Sequence, residues 1–151
     1  MQPLASPKFI LVVEDSLDDF KAIQRALKRA EVTYPLVHCR FGEDALNDLY
    51  ARLTVETAAE LPALILLDLN LPGIDGFDVL ARLKQDPELR SIPIVVMTTS
   101  DDQQDVQRCY DAGANSYIRK PSNLSDMVRA LHTLKTYWFD VALLSHRSRR
   151  H

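Results

Sequence analysis

Cysteine and glycine are scarce in this sequence. Its two cysteines, Cys39 and Cys109, are too few for a disulfide framework, and they indicate a reducing compartment. Its four glycines form none of the glycine-rich loops that hold nucleotide phosphates. A Rossmann or P-loop nucleotide-binding function therefore has no support in the sequence.

An excess of basic charge and long apolar runs are also lacking. Lys and Arg total 18 against 21 Asp and Glu, for a net charge of -3. Affinity for a phosphate backbone needs clustered basic side chains, so we expect no direct nucleic-acid binding. No run of about 18 apolar residues is present to cross a bilayer, and the amino-terminal MQPLASPKF lacks the apolar core of a signal peptide. We expect a cytoplasmic protein with no membrane association.

One stretch organises the rest of the chain. The apolar run Ala63 to Leu67 leads directly into Asp68, and a turn containing Pro72, Gly73 and Gly76 follows. A short apolar run bounded by Pro and Gly indicates a strand buried on both faces. Asp68 is then the first polar side chain at the carboxyl end of that strand, where open parallel sheets place their sites.

The same alternation of strand and helix patterns recurs along the chain. Strands are predicted at 8–15, 36–41, 63–67, 94–97 and 116–119, and helices at about 17–30, 43–53, 77–85, 102–112 and 124–134. Residues 54–61 either extend the second helix or form a loop. The alternation predicts an α/β fold, a doubly wound five-stranded parallel sheet in one domain, residues 8–135, with a C-terminal extension, 136–151.

Polar side chains follow four of these strands. They are Glu14 and Asp15, Asp68, Thr98 and Lys120, and the carboxyl ends of parallel strands lie side by side. Two carboxylates about 4 Å apart repel by about 4 kcal/mol in a partly buried site, so three of them require a counter-charge. Hard oxygen ligands favour Mg2+, with Mn2+ as a substitute, and no His or Cys pair has zinc-ligand spacing.

Such a site suits phosphoryl transfer. Asp68 can attack phosphorus as an oxygen nucleophile while the metal and Lys120 neutralise the transferring group and Thr98 donates a hydroxyl to it. The alternative is that each acid caps the helix after its strand, as Asp15 and Ser16 precede one helix. Capping, however, accounts for neither Lys120 nor Asp68, which lies too far before its helix.

Four motifs carry a family resemblance: VVEDS at Glu14 and Asp15, LLDLNLPGIDG at Asp68, VVMTTS at Thr98 and YIRKP at Lys120. With them the chain resembles the receiver domain of two-component response regulators. The resemblance implies a flavodoxin-like fold with strand order 2-1-3-4-5.

The resemblance also implies roles for individual residues. Asp68 would be the phosphoacceptor, and Asp15, Asp68 and the backbone carbonyl of Asn70 would ligate Mg2+, with Glu14 acting through metal-bound water. Thr98 and Tyr117 would form the switch, and Lys120 would pair with the phosphoryl group. The bond before Pro121 would be a cis peptide.

The implied function is a single-domain response regulator that accepts a phosphoryl group from a sensor histidine kinase. It would catalyse only its own phosphorylation and dephosphorylation and would not act as a turnover enzyme. Two alternatives remain: a phosphorylation-independent interaction module, and a phosphatase with an Asp nucleophile. Phosphatases of the dehalogenase type need a second acid two residues after the nucleophile, where this chain has Asn70.

The C-terminal extension has more apolar side chains than one helix stripe can bury. The candidates for a homodimer interface are Tyr137, Trp138, Phe139, Val141 and Leu144, and the alternative is that the segment folds back on its own domain. Residues 147–151 are interpreted as a basic disordered tail or a cloning remnant. The segment around Trp138 and the long connection at 54–61 resemble stand-alone regulators paired with bacterial phytochrome histidine kinases.

Overall fold

The computed structural model describes residues 8–54 and 60–144. The described residues contain five parallel strands: β1 (Ile10–Val13), β2 (Leu36–Cys39), β3 (Leu64–Leu67), β4 (Ile94–Thr98) and β5 (Ser116–Arg119). They form one sheet in the order β2-β1-β3-β4-β5. The predicted fold class and strand order are confirmed.

Strand composition follows position in the sheet. The three inner strands, β1, β3 and β4, are buried along their whole length, while the edge strands β2 and β5 are mostly half-buried. An inner strand of a doubly wound sheet has helices on both faces, so its side chains are apolar except at the carboxyl end of β4, where Thr98 is buried. This explains the unbroken apolar runs of the inner strands and the weaker alternation of β2.

Five α-helices connect or follow the strands in the described residues. They are α1 (Leu17–Arg29), α2 (Gly42–Thr54), α3 (Gly76–Gln85), α4 (Gln103–Asp111) and α5 (Leu124–Lys135). Each predicted helix is confirmed; whether the second continues beyond Thr54 concerns residues 55–59, outside the described ranges. None of these helices is long and apolar enough to cross a membrane.

The helices divide between the two faces of the sheet. Alternate β1 residues face opposite cores: Leu11 and Val13 pack with α2, α3 and α4, whereas Ile10 and Val12 pack with α1 and α5. The period of two along a strand produces this division. The carboxyl ends of all five strands are thereby left at one edge of the sheet, open to the loops that begin the helices.

The C-terminal extension continues α5 as a π-helical segment, Thr136–Val141. Trp138 and Phe139 are half-buried against the core on the α1 and α5 side, and the Phe139 ring stacks on Tyr34 with centroids 4.4 Å apart. Tyr137 and Val141 are 54% and 67% exposed. The segment therefore folds back partly on its own domain, while the dimer interface and the boundary at residue 136 stay predictions.

Candidate functional site

The carboxyl edge of the sheet brings together the side chains that the strand pattern predicted to meet there. One carboxylate oxygen each from Glu14, Asp15 and Asp68 lie within 4.8 Å of one another. Glu14 and Asp68 are 1% and 5% exposed, and Thr98 is fully buried beside them at the end of β4. The acidic cluster is thus a largely buried feature of the fold rather than a solvated surface.

Lys120 supplies a positive charge within the acidic cluster. Its Nζ donates to Glu14 Oε1 at 2.5 Å, to Asp19 Oδ2 at 2.8 Å and to Asp68 Oδ2 at 3.0 Å. Its side chain is only 7% exposed. A lysine ammonium has three N–H donors, so these three carboxylates use all of them.

Asp19 is a site residue that sequence reasoning missed. The spacing of Ser16 and Asp19 was interpreted only as the start of a helix, and the Ser16 hydroxyl does accept the Asp19 backbone N–H at 3.2 Å. The signal that could have identified Asp19 was its place in the first turn of a helix that starts at the acidic pair. A side chain there lies at the same edge of the sheet as Lys120.

The ionisation of the cluster follows from burial and from Lys120. Burial raises the pKa of Glu14 from 4.5 to about 7, against the opposing effect of the Lys120 hydrogen bond. Burial acts in the same direction on Asp68, but the Lys120 ammonium and the Asn70 N–H outweigh it and lower the pKa of that carboxyl. The pKa of Lys120 is raised: burial opposes this, and hydrogen bonds to the three carboxylates outweigh it. Asp68 is therefore held as a carboxylate, the form that can act as a nucleophile.

The loop between β3 and α3 holds Asp68 in place. The Asn70 N–H donates to Asp68 Oδ1 at 3.2 Å. A Cβ at Gly76 would lie 2.3 Å from the Asp68 carbonyl oxygen, so only glycine fits where α3 begins. Glu43 at the start of α2 accepts the Ile74 N–H at 3.0 Å and so anchors the loop from outside. This last contact joins residues 31 positions apart, so no local sequence pattern indicates it.

The two predicted switch residues are both connected to the segment that follows β4. Asn70 Nδ2 donates to Thr98 Oγ1 at 3.4 Å, which places that hydroxyl beside the acidic loop. The Tyr117 hydroxyl donates to the Ser100 carbonyl oxygen at 2.8 Å, two residues beyond Thr98. The backbone from Thr98 to Ser100 thus links Thr98 to the carbonyl that accepts the Tyr117 hydroxyl.

The expected cis peptide before Pro121 is wrong. No peptide bond in the described residues is cis. The Lys120 N–H donates to the Thr98 carbonyl oxygen at 2.7 Å, which continues the β4–β5 ladder past the end of β5. Strand pairing therefore directs Lys120 toward the acids without a cis bond.

The donor set of the cluster fits a hard divalent cation. Glu14, Asp15 and Asp68 offer carboxylate oxygens only, and such oxygens suit Mg2+ or Mn2+ better than zinc. Their proximity, with two of them buried, is the arrangement that a dication stabilises. The ligand role of the Asn70 carbonyl stays a prediction.

Comparisons with known proteins agree with this geometry. The sequence model of the response regulator receiver domain matches residues 10–132. The chain belongs to the response regulator receiver family. It is 40% identical over 138 residues to response regulator Rcp1 of Synechocystis sp., covering 91% of this chain and 93% of Rcp1.

Two solved structures place the similarity in three dimensions. The phosphorylated cyanobacterial phytochrome response regulator RcpA has a TM-score of 0.82 and 40% identity, covering 93% of this chain and all of that one. The Mn2+-bound form of Rcp1 has a TM-score of 0.81 and 39% identity, with the same coverage. The receiver hypothesis is confirmed, and this receiver has an acidic site of the kind that accepts a divalent cation.

Proposed function

We propose that Asp68 accepts the phosphoryl group in this receiver and that Mg2+ is the resident metal. The observation that supports this most directly is the buried Asp68 carboxylate, 3.0 Å from the Lys120 ammonium and beside the carboxylates of Glu14 and Asp15. Metal-assisted transfer to an aspartate requires carboxylates that can hold a dication and a positive side chain next to the accepting oxygen, and this cluster has both.

The transfer uses groups already in the site. An Asp68 carboxylate oxygen bonds to phosphorus as the P–N bond of a phosphohistidine breaks, and the imidazole leaves with the electron pair and takes up a proton. Asp15, Asp68 and the Asn70 carbonyl would hold Mg2+, with Glu14 acting through metal-bound water, and the ion would supply positive charge for the phosphoryl oxygens. Lys120 contributes a second positive charge, and its contact with Asp68 at 3.0 Å places its ammonium beside the reacting oxygen.

The signal passes from Thr98 to Tyr117. A phosphoryl group on Asp68 brings about -1.5 to -2 charge and three acceptor oxygens to a place where the Thr98 hydroxyl can donate. The Thr98 Oγ1 accepts only a weak hydrogen bond from Asn70 Nδ2, at 3.4 Å, so its hydroxyl can turn to donate to a phosphoryl oxygen. The segment between Thr98 and Ser100 then moves, and with it the acceptor of the Tyr117 hydroxyl.

The proposed upstream partner is a sensor histidine kinase of the phytochrome class. Support comes from the similarity to RcpA, described as a cyanobacterial phytochrome response regulator, over nearly the full length of this chain. We propose cytoplasmic phosphorelay signalling without nucleic-acid or membrane contact.

A homodimer through the end of the chain completes the proposal. Tyr137 and Val141 lie four residues apart on the π-helical segment and are both exposed, while Trp138 and Phe139 anchor that segment to the domain. Anchoring fixes the exposed pair in one orientation, so a two-fold contact orders few additional side chains. Leu144 lies at the end of the described residues, half-buried.

Phosphorylation by acetyl phosphate and Mg2+ tests the acceptor. We expect the intact mass to rise by one phosphoryl group in the wild type and in the control variant Asp78→Asn, an exposed acid in the first turn of α3. The Asp68→Asn variant should gain none, because the amide lacks the nucleophilic carboxylate. Equal incorporation in Asp68→Asn and wild type would refute the assignment.

A further inference from the structure

Lys120 has no free N–H for a phosphoryl oxygen. Its three donors are occupied by Glu14, Asp19 and Asp68, at 2.5, 2.8 and 3.0 Å. Bonding to phosphorus leaves Asp68 with only an uncharged carbonyl oxygen, while the phosphoryl group brings three charged acceptor oxygens next to the same ammonium. The hydrogen bond to Asp68 can pass to one phosphoryl oxygen, but Lys120 can donate to a second phosphoryl oxygen only if Glu14 or Asp19 also leaves.

The three partners differ in how easily they can leave. The side chains of Glu14 and Asp68 are 2% and 6% exposed, whereas that of Asp19 is 46% exposed. A buried carboxylate that loses its partner stays desolvated, while an exposed one exchanges the hydrogen bond for water. Of Glu14 and Asp19, Asp19 is the partner whose departure costs less.

The local role of Asp19 does not explain why its carboxylate lies against Lys120. Asp19 is the third residue of α1, and in a capping box its carboxylate would accept the backbone N–H of Ser16. That N–H donates instead to Glu14 Oε2 at 3.2 Å. The Asp19 carboxylate therefore does not take part in a capping box, and it accepts a hydrogen bond from Lys120, 101 positions away.

We propose that Asp19 is a positioning residue that competes with the phosphoryl group for Lys120. It holds the ammonium in the unphosphorylated site and lowers the affinity of that site for a phosphoryl group. This inference rests on the proposed function, which makes Asp68 the acceptor. Removal of the carboxylate at position 19 leaves one Lys120 N–H ready for a phosphoryl oxygen.

Beryllofluoride, a stable mimic of a phosphoryl group on an aspartate, tests the competition as a binding equilibrium. Its affinity is measured by fluorine NMR at saturating Mg2+, with the Mg2+ affinity of each variant determined separately. We expect Asp19→Asn to bind beryllofluoride about three- to tenfold more tightly, the range that an exposed ion pair of about 1 kcal/mol corresponds to. The matched variant Asp18→Asn removes an adjacent exposed charge outside the Lys120 cluster and should change the affinity less than about twofold.

Two further measurements separate contact from general electrostatics. Asp19→Glu restores a carboxylate and should return the affinity toward the wild-type value. At about 1 M salt, where the screening length is about 3 Å, the difference between Asp19→Asn and Asp18→Asn should persist, because it comes from a direct contact.

Several results would overturn the inference. If Asp19→Asn and Asp18→Asn bind beryllofluoride equally tightly, or if their difference disappears at high salt, the effect of Asp19 is only that of a nearby negative charge and not of its contact with Lys120. A large loss of Mg2+ affinity in Asp19→Asn would make Asp19 a metal ligand instead of a competitor. Failure of the proposed function is distinguishable, because in that case the wild type itself would bind no beryllofluoride, or Asp68→Asn would bind it equally well.

Discussion

Metal binding by this receiver should depend steeply on pH near neutrality, and Glu14 is the reason. Burial raises the pKa of Glu14 to about 7, so below that pH a proton occupies a carboxylate that the metal needs. One proton displaced per metal ion lowers the apparent affinity about tenfold between pH 8 and pH 6. Asp68 contributes little over this range, because its pKa lies below the ordinary value.

The assay is a Mg2+ or Mn2+ titration by calorimetry at several pH values, in buffers of different ionisation enthalpy. Near pH 6 the buffer dependence should show about one proton released per metal bound. Glu14→Gln should abolish both the proton release and the slope, while the control variant Glu43→Gln, at the loop anchor, should retain them. A wild-type affinity that stays flat from pH 6 to pH 8 would refute the reasoning.

The sign of the stability effect is opposite to that of metal binding. The folded-state pKa of Glu14 lies above its unfolded value of 4.5, so its contribution to the metal-free protein is most favourable below pH 4.5. That contribution is lost as the pH rises to about 7. A saturating divalent cation should therefore raise the melting temperature more at pH 8 than at pH 6.

Two predictions concern the rest of the fold. Glu31 follows the C-cap of α1 and has φ 61°, a left-handed conformation that favours glycine, so Glu31→Gly should raise the free energy of unfolding in urea by about 0.5–1 kcal/mol. A similar gain in Glu31→Ala would contradict that reason. Trp138→Ala should cost about 1–3 kcal/mol of stability, because the side chain is half-buried. The double variant Tyr137→Ser with Val141→Ser should instead weaken the dimer in sedimentation equilibrium at unchanged stability; a wild type that stays monomeric at high concentration would refute the dimer.

Much of the site could be predicted because its determinants are local. An apolar run that ends at Asp68 defines a strand and its carboxyl end without any knowledge of the partner strands. Strand–helix alternation then makes the sheet parallel, which places Glu14, Thr98 and Lys120 at the same edge.

What could not be predicted depends on tertiary distances. The place of Asp19 in the first turn of α1 puts it at the same edge of the sheet as Lys120, but the local sequence does not distinguish a bond to Lys120 from capping of its own helix. The anchor of the β3–α3 loop by Glu43 is likewise a contact between distant positions. The C-terminal extension is a third case. Its composition reveals an excess of apolar side chains, but it does not predict that Trp138 packs inward while Tyr137 is exposed to solvent.

Trp138 is the chain's sole tryptophan, and it lies half-buried where the C-terminal segment rests on the domain. Intrinsic tryptophan emission of this protein consequently originates from one location, remote in sequence from the acidic site. A red shift of that emission on addition of a phosphodonor would indicate that the side chain becomes more exposed, as when the segment lifts from the domain. Trp138 therefore serves as an intrinsic fluorescence probe of the segment Thr136–Val141.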